Sequence, residues 1–130
     1  MSNPKYDQLI KNYPKALSRV TCGIYYPDGW NTLVNRLCSL VEQEINQLSP
    51  ELQEKVYVVQ IKSKFGSLRY YMNSSTPYIN GAIEMAESLS YTICEMCGNQ
   101  ASSKQVGGWT AALCDACHKI ELDAKKKEGR

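Results

Sequence analysis

Two cysteine pairs near the carboxyl end decide the fold of this chain: Cys94-Glu95-Met96-Cys97-Gly98 and Cys114-Asp115-Ala116-Cys117. Each pair places its sulfur atoms three positions apart, a spacing at which a tight turn presents both to one metal ion. The segment between the pairs, residues 98–113, has the length expected of a four-cysteine zinc site. The sequence therefore predicts a treble-clef-like zinc ribbon that holds one structural zinc ion by Cys94, Cys97, Cys114 and Cys117.

The ligand set indicates a structural rather than a catalytic metal. A catalytic zinc keeps a coordination position open for water or substrate, and four cysteines leave none. His118 is the only histidine in the sequence and directly follows Cys117. We expect His118 beside the site or in solvent, and the alternative is that it replaces one of the ligands. For the cysteines, the alternative to zinc binding is an iron–sulfur or redox role. Serine or cysteine nucleophiles are commonly activated by a histidine base, and this chain has one histidine. We therefore expect no enzymatic activity and no catalytic residues.

The two remaining cysteines, Cys22 and Cys38, stand far from the pairs and from each other. A disulfide framework is typical of secreted proteins, and nothing at the start of the chain has the form of a secretory leader. We expect both thiols to be reduced and packed as small apolar groups.

Local patterns predict an α+β protein. The apolar residues between Trp30 and Leu48 recur at helical spacing, which predicts the longest helix. Strand-like runs at residues 56–62 and 68–72 flank a segment containing Gly66, which predicts an antiparallel hairpin with a positive φ at that glycine.

Capping and proline signals place the other elements. Residues 2–18 predict a short helix that Pro14 ends or kinks, residues 26–29 a turn whose Asp28 serves as N-cap, and Thr76 with Pro77 the start of another helix. We expect two units: residues 1–90 as a core of helices packed on the hairpin or a small antiparallel sheet, and residues 91–130 as the zinc ribbon with a C-terminal helix. The final basic run, residues 125–127 with Arg130, predicts a frayed, solvated helix end.

Net charge and hydropathy indicate which classes of partner the protein is expected to bind. The formal net charge is +2, and a zinc ion bound by four thiolates would bring the chain near neutrality. Strong general attraction to nucleic acid is therefore not expected. No segment approaches the ~20 continuous apolar residues that a membrane-spanning helix needs. We expect a soluble, cytoplasmic protein without a membrane partner or a small-molecule substrate.

The predicted hairpin has an unusual composition. Its turn is surrounded by three cations, two tyrosines and the only phenylalanine of the chain. One interpretation is structural, with Phe65 and Tyr70 in the core and the cations solvated. The other is a surface that grips an anionic or aromatic partner, and the side chains concerned are Lys62, Lys64, Phe65, Arg69 and Tyr71.

Two resemblances to known families rest on these motifs. The segments CEMCG and LCDACHK resemble the zinc fingers of DksA/TraR-type transcription regulators and, more loosely, GATA-type fingers. Over residues 29–118, a Gly-Trp pair at a helix start, the run IKSKFGSLRYY, a helix entering CxxCG and a Trp before LCDAC resemble a family of small zinc-ribbon proteins of bacteriophages and prophages. In that family a KFGxLRxY segment precedes the zinc ribbon.

The second resemblance implies a phage-encoded protein acting in a bacterial host cell, in host takeover or defence evasion. We therefore expect a zinc-binding protein that binds a host protein and modulates or inhibits it, since tyrosine and arginine are common at protein interfaces. The alternative is a nucleic-acid-binding zinc-ribbon regulator, with Lys62, Lys64, Arg69 and Lys104 near phosphates and tyrosines stacked on bases.

Overall fold

The fold mixes helices with two small antiparallel sheets. The computed structural model describes the backbone of residues 3–129 and the side chains of residues 3–126. Ser2 of the predicted first helix and Arg130 of the predicted basic end lie outside the described residues. The elements are α1 (Pro4–Asn12), α2 (Pro14–Leu17), a 3-10 turn (Asp28–Trp30), α3 (Asn31–Asn46), α4 (Pro50–Gln53), β1 (Val58–Lys64), β2 (Ser67–Met72), α5 (Pro77–Ser90), β3 (Ser102–Val106), β4 (Trp109–Leu113) and α6 (Asp115–Gly129).

The first two helices follow the proline signals. Pro14 follows the end of α1 and begins α2, so the prediction of an early interruption is confirmed. The carboxylate of Glu42 accepts hydrogen bonds from the backbone N–H groups of Lys15 and Ala16 at 3.1 and 2.8 Å. These bonds satisfy helix N-terminal donors that lack intrahelical partners, and they join α2 to α3.

The predicted N-cap at Asp28 is wrong. α3 begins at Asn31 without a side-chain cap, after a 3-10 turn in which Pro27 occupies the cap position. The carboxylate of Asp28 instead accepts a 2.7 Å hydrogen bond from the ammonium group of Lys5. That bond, together with the nearby positive charge, lowers the pKa of Asp28. The local sequence pattern predicted the Asp28 carboxylate as a helix cap, but the carboxylate instead binds Lys5, which is distant in sequence.

The main core lies between α3, α5 and the inner face of the β1–β2 hairpin. α3 buries one stripe of side chains, and α5 begins, as predicted, with a Thr76 cap that accepts from the N–H of Ile79. The hairpin contributes four buried apolar residues, Val58, Ile61, Leu68 and Tyr70. The buried α3 stripe consists of Val34, Leu37, Cys38, Val41 and Ile45.

Only one of the two isolated cysteines packs as expected. Cys38 is buried, with its sulfur 3.2 Å from the hydroxyl of Tyr70. Cys22 is exposed, so the prediction that it packs as an apolar group is wrong. The reason is its position at a bend in the loop beside β1, where its N–H donates to the carbonyl of Val59 at 2.9 Å.

The β1–β2 hairpin closes through a two-residue turn. Lys64 pairs with Ser67, and the residues between them are Phe65 at φ 55° and Gly66 at φ 80°. The prediction of a positive φ at Gly66 is confirmed, whereas sequence pattern did not indicate the same for Phe65. Two successive positive φ values are the signature of a type I′ turn, in which asparagine or glycine is preferred at the first position.

Replacement of Phe65 tests the backbone cost of this turn. Asparagine tolerates the left-handed region far better than a bulky residue does, so Phe65→Asn is expected to raise the free energy of unfolding by about 1 kcal/mol. Phe65→Ala keeps a Cβ in the same backbone conformation and serves as the control, with little gain expected. Urea unfolding followed by tryptophan fluorescence measures both, and a Phe65→Asn protein no more stable than wild type contradicts the assignment.

Candidate metal centre

The first cysteine pair lies on a tight knuckle after α5. The N–H of Cys94 donates to the carbonyl of Asn99 at 2.7 Å, and the N–H of Gly98 donates back to the carbonyl of Cys94 at 2.9 Å. Gly98 has a φ of 82°, a conformation that glycine adopts without steric cost. This closed turn positions Cys94 and Cys97 on the same side of the backbone.

The second pair lies at the junction of β4 and α6. Cys114 follows the last residue of β4, and Cys117 lies in the first turn of α6. The N–H of Cys117 donates to the sulfur of Cys114 at 3.4 Å, and the N–H of His118 donates to the Cys114 carbonyl at 2.9 Å. The start of the helix therefore supplies a backbone donor to the sulfur of Cys114 and a second one to its carbonyl oxygen.

The four predicted ligands come together in one cluster. The sulfur atoms of Cys94, Cys97, Cys114 and Cys117 all lie within 4.8 Å of one another. The Cys97 and Cys114 sulfurs are 3.7 Å apart, well beyond the ~2.05 Å of a disulfide bond. A tetrahedron with sulfurs about 2.3 Å from a central ion has edges of about 3.8 Å. The cluster therefore has the donors and spacing to hold a metal ion.

The thiols themselves do not ionise equally. Burial opposes ionisation of Cys94, but hydrogen bonds from the backbone of Cys114, Cys97 and Met96 outweigh it and lower the pKa of Cys94 to about 6. The pKa of Cys117 is raised, first by its hydrogen bond to the sulfur of Cys114 and then by burial. Four thiolates at this distance repel one another, and a bound cation would stabilise the ionised form of all four.

The single histidine contacts the backbone and lies outside the sulfur cluster. Nε2 of His118 is 2.9 Å from the carbonyl oxygen of Gln105 in β3. This contact joins the first turn of α6 to the edge of the β3–β4 hairpin.

The knuckle packs directly on the turn that precedes α3. The N–H of Gly29 donates to the carbonyl of Glu95 at 2.8 Å, and the indole N–H of Trp30 donates to the carbonyl of Ile93 at 2.8 Å. A β-carbon at Gly29 would lie 2.0 Å from the carbonyl oxygen of Cys94. Only glycine allows this approach, and Trp30 is fully buried beneath it.

Glu95 joins the knuckle to the second hairpin. Its N–H donates to the carbonyl of Ala112 at 2.8 Å, and its carboxylate accepts from the N–H of Ala112 at 2.7 Å. Burial raises the pKa of Glu95, although the bond from Ala112 acts in the opposite direction. Sequence reasoning missed both Gly29 and Glu95, because a turn glycine and an inter-cysteine acid carry no local signal of what they contact.

The five predicted partner-binding residues share the outer face and tip of the β1–β2 hairpin. Lys62 lies opposite Arg69 in the strand register, and Tyr71 follows two residues later on the same face. Tyr71 is exposed, whereas the neighbouring Tyr70 is buried as the two-residue period predicts. At the turn, Lys64 is 5.6 Å from the centre of the Phe65 ring.

The same end of the molecule carries an exposed aromatic that sequence reasoning did not select. Trp109 begins β4 and is 43% exposed. A β-carbon at Gly66 would lie 3.2 Å from the backbone of Ala111, which places the hairpin tip against β4. The exposure of Trp109 depends on the packing of two hairpins, which no local sequence pattern indicates.

Comparison with family models, curated proteins and solved structures gives no match for this chain. Within residues 3–129, none of the helices combines the length and apolar character needed to cross a bilayer. The fold and the site thus define an α+β protein with small antiparallel sheets and a C-terminal four-cysteine cluster able to bind a metal ion.

Substitution of Gly29 tests the contact between the knuckle and the core. Gly29→Ala is expected to destabilise the protein by about 2 kcal/mol, because its β-carbon overlaps the backbone of Cys94. Gly81→Ala is the matched control, since a β-carbon there meets nothing within 4 Å and alanine favours the helix. Equal free energies of unfolding in urea for the two variants would contradict the close approach of Gly29 to Cys94.

Substitution of one cysteine tests the metal cluster. Cys114→Ser is expected to abolish stoichiometric metal binding and to unfold at least the ribbon, because the binding free energy of such a site contributes to folding. Cys22→Ser, at an exposed thiol outside the cluster, is expected to keep its metal. Elemental analysis of both purified variants gives the answer, and full metal content in Cys114→Ser means that the ligand set is wrong.

Proposed function

We propose that the metal is one structural zinc ion and that the C-terminal unit is a treble-clef-like ribbon. Four cysteine thiolates are a donor set typical of structural zinc, and the sulfur spacing fits its bond length. The order of knuckle, hairpin and cysteine-bearing helix supports the treble-clef assignment. In this proposal zinc holds the chain in shape and takes part in no reaction.

We propose that the protein is not an enzyme and acts by binding another protein and modulating or inhibiting it. The observation that carries this proposal is an uncompensated pair of cations on the outer hairpin face. Lys62 and Arg69 lie directly opposite each other, an arrangement that destabilises a hairpin. Among the described residues the ion pairs are Lys5–Asp28 and Lys104–Asp115, so neither hairpin cation has a carboxylate partner.

The environment of Arg69 adds to the case. Its Nε is buried and has no hydrogen-bond partner in the described residues. An unpaired buried donor costs free energy, as does the like-charge pair, and neither contributes to the stability of the fold. A partner that supplies carboxylate groups would offset the cost of the like-charge pair.

The chemistry of this face fits an acidic surface on a protein. Arginine and aromatic residues are enriched where protein interfaces bind most strongly, and the face combines Arg69 with Tyr71 and Phe65. The face is also well supported, because Gly66 lies against β4 and the segment of residues 22–25 pairs along β1. A supported surface loses little conformational entropy on binding.

The resemblance to phage and prophage zinc-ribbon proteins suggests the setting. In a bacterial host cell, a small protein of this kind would bind a host protein in the cytoplasm and serve host takeover or defence evasion. The net charge favours such a specific contact over general attraction to polyanions.

A nucleic-acid-binding regulator is the second candidate. It is favoured by the same row of cations beside exposed aromatic side chains, which could contact phosphates and stack on bases. Binding driven by phosphate contacts weakens steeply with salt, whereas an interface built on an aromatic anchor weakens less. Salt dependence therefore separates the two candidates.

Co-purification from host lysate tests the proposal. The full chain, loaded with zinc and incubated with nuclease-treated lysate at ~150 mM salt, is expected to retain one stoichiometric protein. The double variant Lys62→Glu with Arg69→Glu is expected to lose it through charge repulsion, while Lys11→Glu, at an exposed site on α1, is expected to retain it. Recovery of nucleic acid alone from untreated lysate, with tight binding in a shift assay at the same salt, would replace this proposal by the second candidate.

A further inference from the structure

Phe65 is the most exposed large apolar residue at the hairpin tip. Its side chain is 71% exposed, and it is the only phenylalanine in the chain. Because the ring lies in solvent, it adds little to the burial of apolar surface that stabilises the fold. Its presence is therefore not explained by packing.

The backbone conformation at Phe65 is a second, independent observation that the stability of the fold does not explain this residue. At φ 55° it is the only residue other than glycine with a positive φ among the described residues. A bulky side chain in this region costs free energy, and asparagine would meet the turn at lower cost. Residues held in unfavourable backbone conformations are concentrated at binding and active sites.

The position of the turn that carries Phe65 is fixed by contacts of its backbone. The next residue, Gly66, packs against the backbone of β4, where a β-carbon would lie within 3.2 to 3.3 Å of Ala111 and Ala112. The strands behind the turn pair in register from Lys64–Ser67 to Ile61–Tyr70. The ring therefore projects from the end of a hairpin whose backbone is supported on both sides of the turn.

The charges around the ring indicate the chemistry of what receives it. Lys64 lies over the Phe65 ring at 5.6 Å, and Lys62 and Arg69 follow on the outer face without carboxylate partners. An apolar pocket that accepts the ring would therefore face three cations at its edge. Carboxylates at that edge are the complementary groups.

We infer that Phe65 is the anchor residue of the protein interface and inserts into an apolar pocket of the partner that is rimmed by carboxylates. The inference rests on the proposed function and names the element of the partner that the hairpin recognises. It also explains why the turn keeps a residue that its backbone disfavours.

The test compares variants of the full, zinc-loaded chain for capture of the protein retained from nuclease-treated lysate, followed by titration of that protein. Phe65→Ala and Phe65→Asn are both expected to weaken binding by about thirtyfold or more, the effect of losing an interface hot spot. Phe65→Tyr keeps an aromatic ring and is expected to bind within a few fold of wild type. Tyr78→Ala removes another exposed aromatic, 53% exposed at the start of α5, and is expected to change nothing.

The Phe65→Asn variant separates anchoring from folding. It is expected to be at least as stable as wild type, so loss of binding in this variant has no origin in unfolding. A protein that is captured by wild type and equally by Phe65→Ala or Phe65→Asn overturns the anchor while leaving the proposed function standing. Capture of no protein by wild type overturns the proposed function and the anchor together.

Discussion

The contact between Gly29 and the first cysteine knuckle is the constraint on which the rest of the structure depends. The knuckle reaches Gly29 because that residue has no side chain, and a β-carbon would overlap the carbonyl of Cys94. The same approach brings the indole of Trp30 to the carbonyl of Ile93 and leaves the ring fully buried. The first cysteine knuckle and the start of α3 are thus packed directly against each other.

A continuous series of contacts runs from this constraint to the hairpin tip. Glu95, within the knuckle, forms two hydrogen bonds with Ala112 of β4. The adjacent backbone of Ala111 supports Gly66 in the turn of the first hairpin. In the proposed function, a metal bound by the knuckle would therefore also support, through β4, the surface for partner binding.

The hairpin itself combines features that oppose its own stability. Lys62 faces Arg69, the Nε of Arg69 is buried without a partner, and Phe65 adopts a positive φ in solvent. Natural sequences are mostly consistent with their folds at every level, and the exceptions are concentrated at functional sites. Three such exceptions within one hairpin, beside a well-packed core, set this surface apart from the rest of the described molecule.

The amino-acid sequence by itself determined the elements and the ligand set. Helical periodicity indicated α3, strand-forming runs around Gly66 indicated the hairpin, and Pro14 indicated the interruption after α1. Thr76 and Pro77 marked the start of α5, and the two CxxC spacings identified four sulfurs that the fold brings together. Each of these signals is local, since it depends on residues within one or two turns of one another. Tertiary structure decided the pairing of Asp28 with Lys5, the exposure of Cys22, the close approach at Gly29 and the conformation of Phe65. These features depend on which distant segments meet, and no short stretch of sequence carries that information.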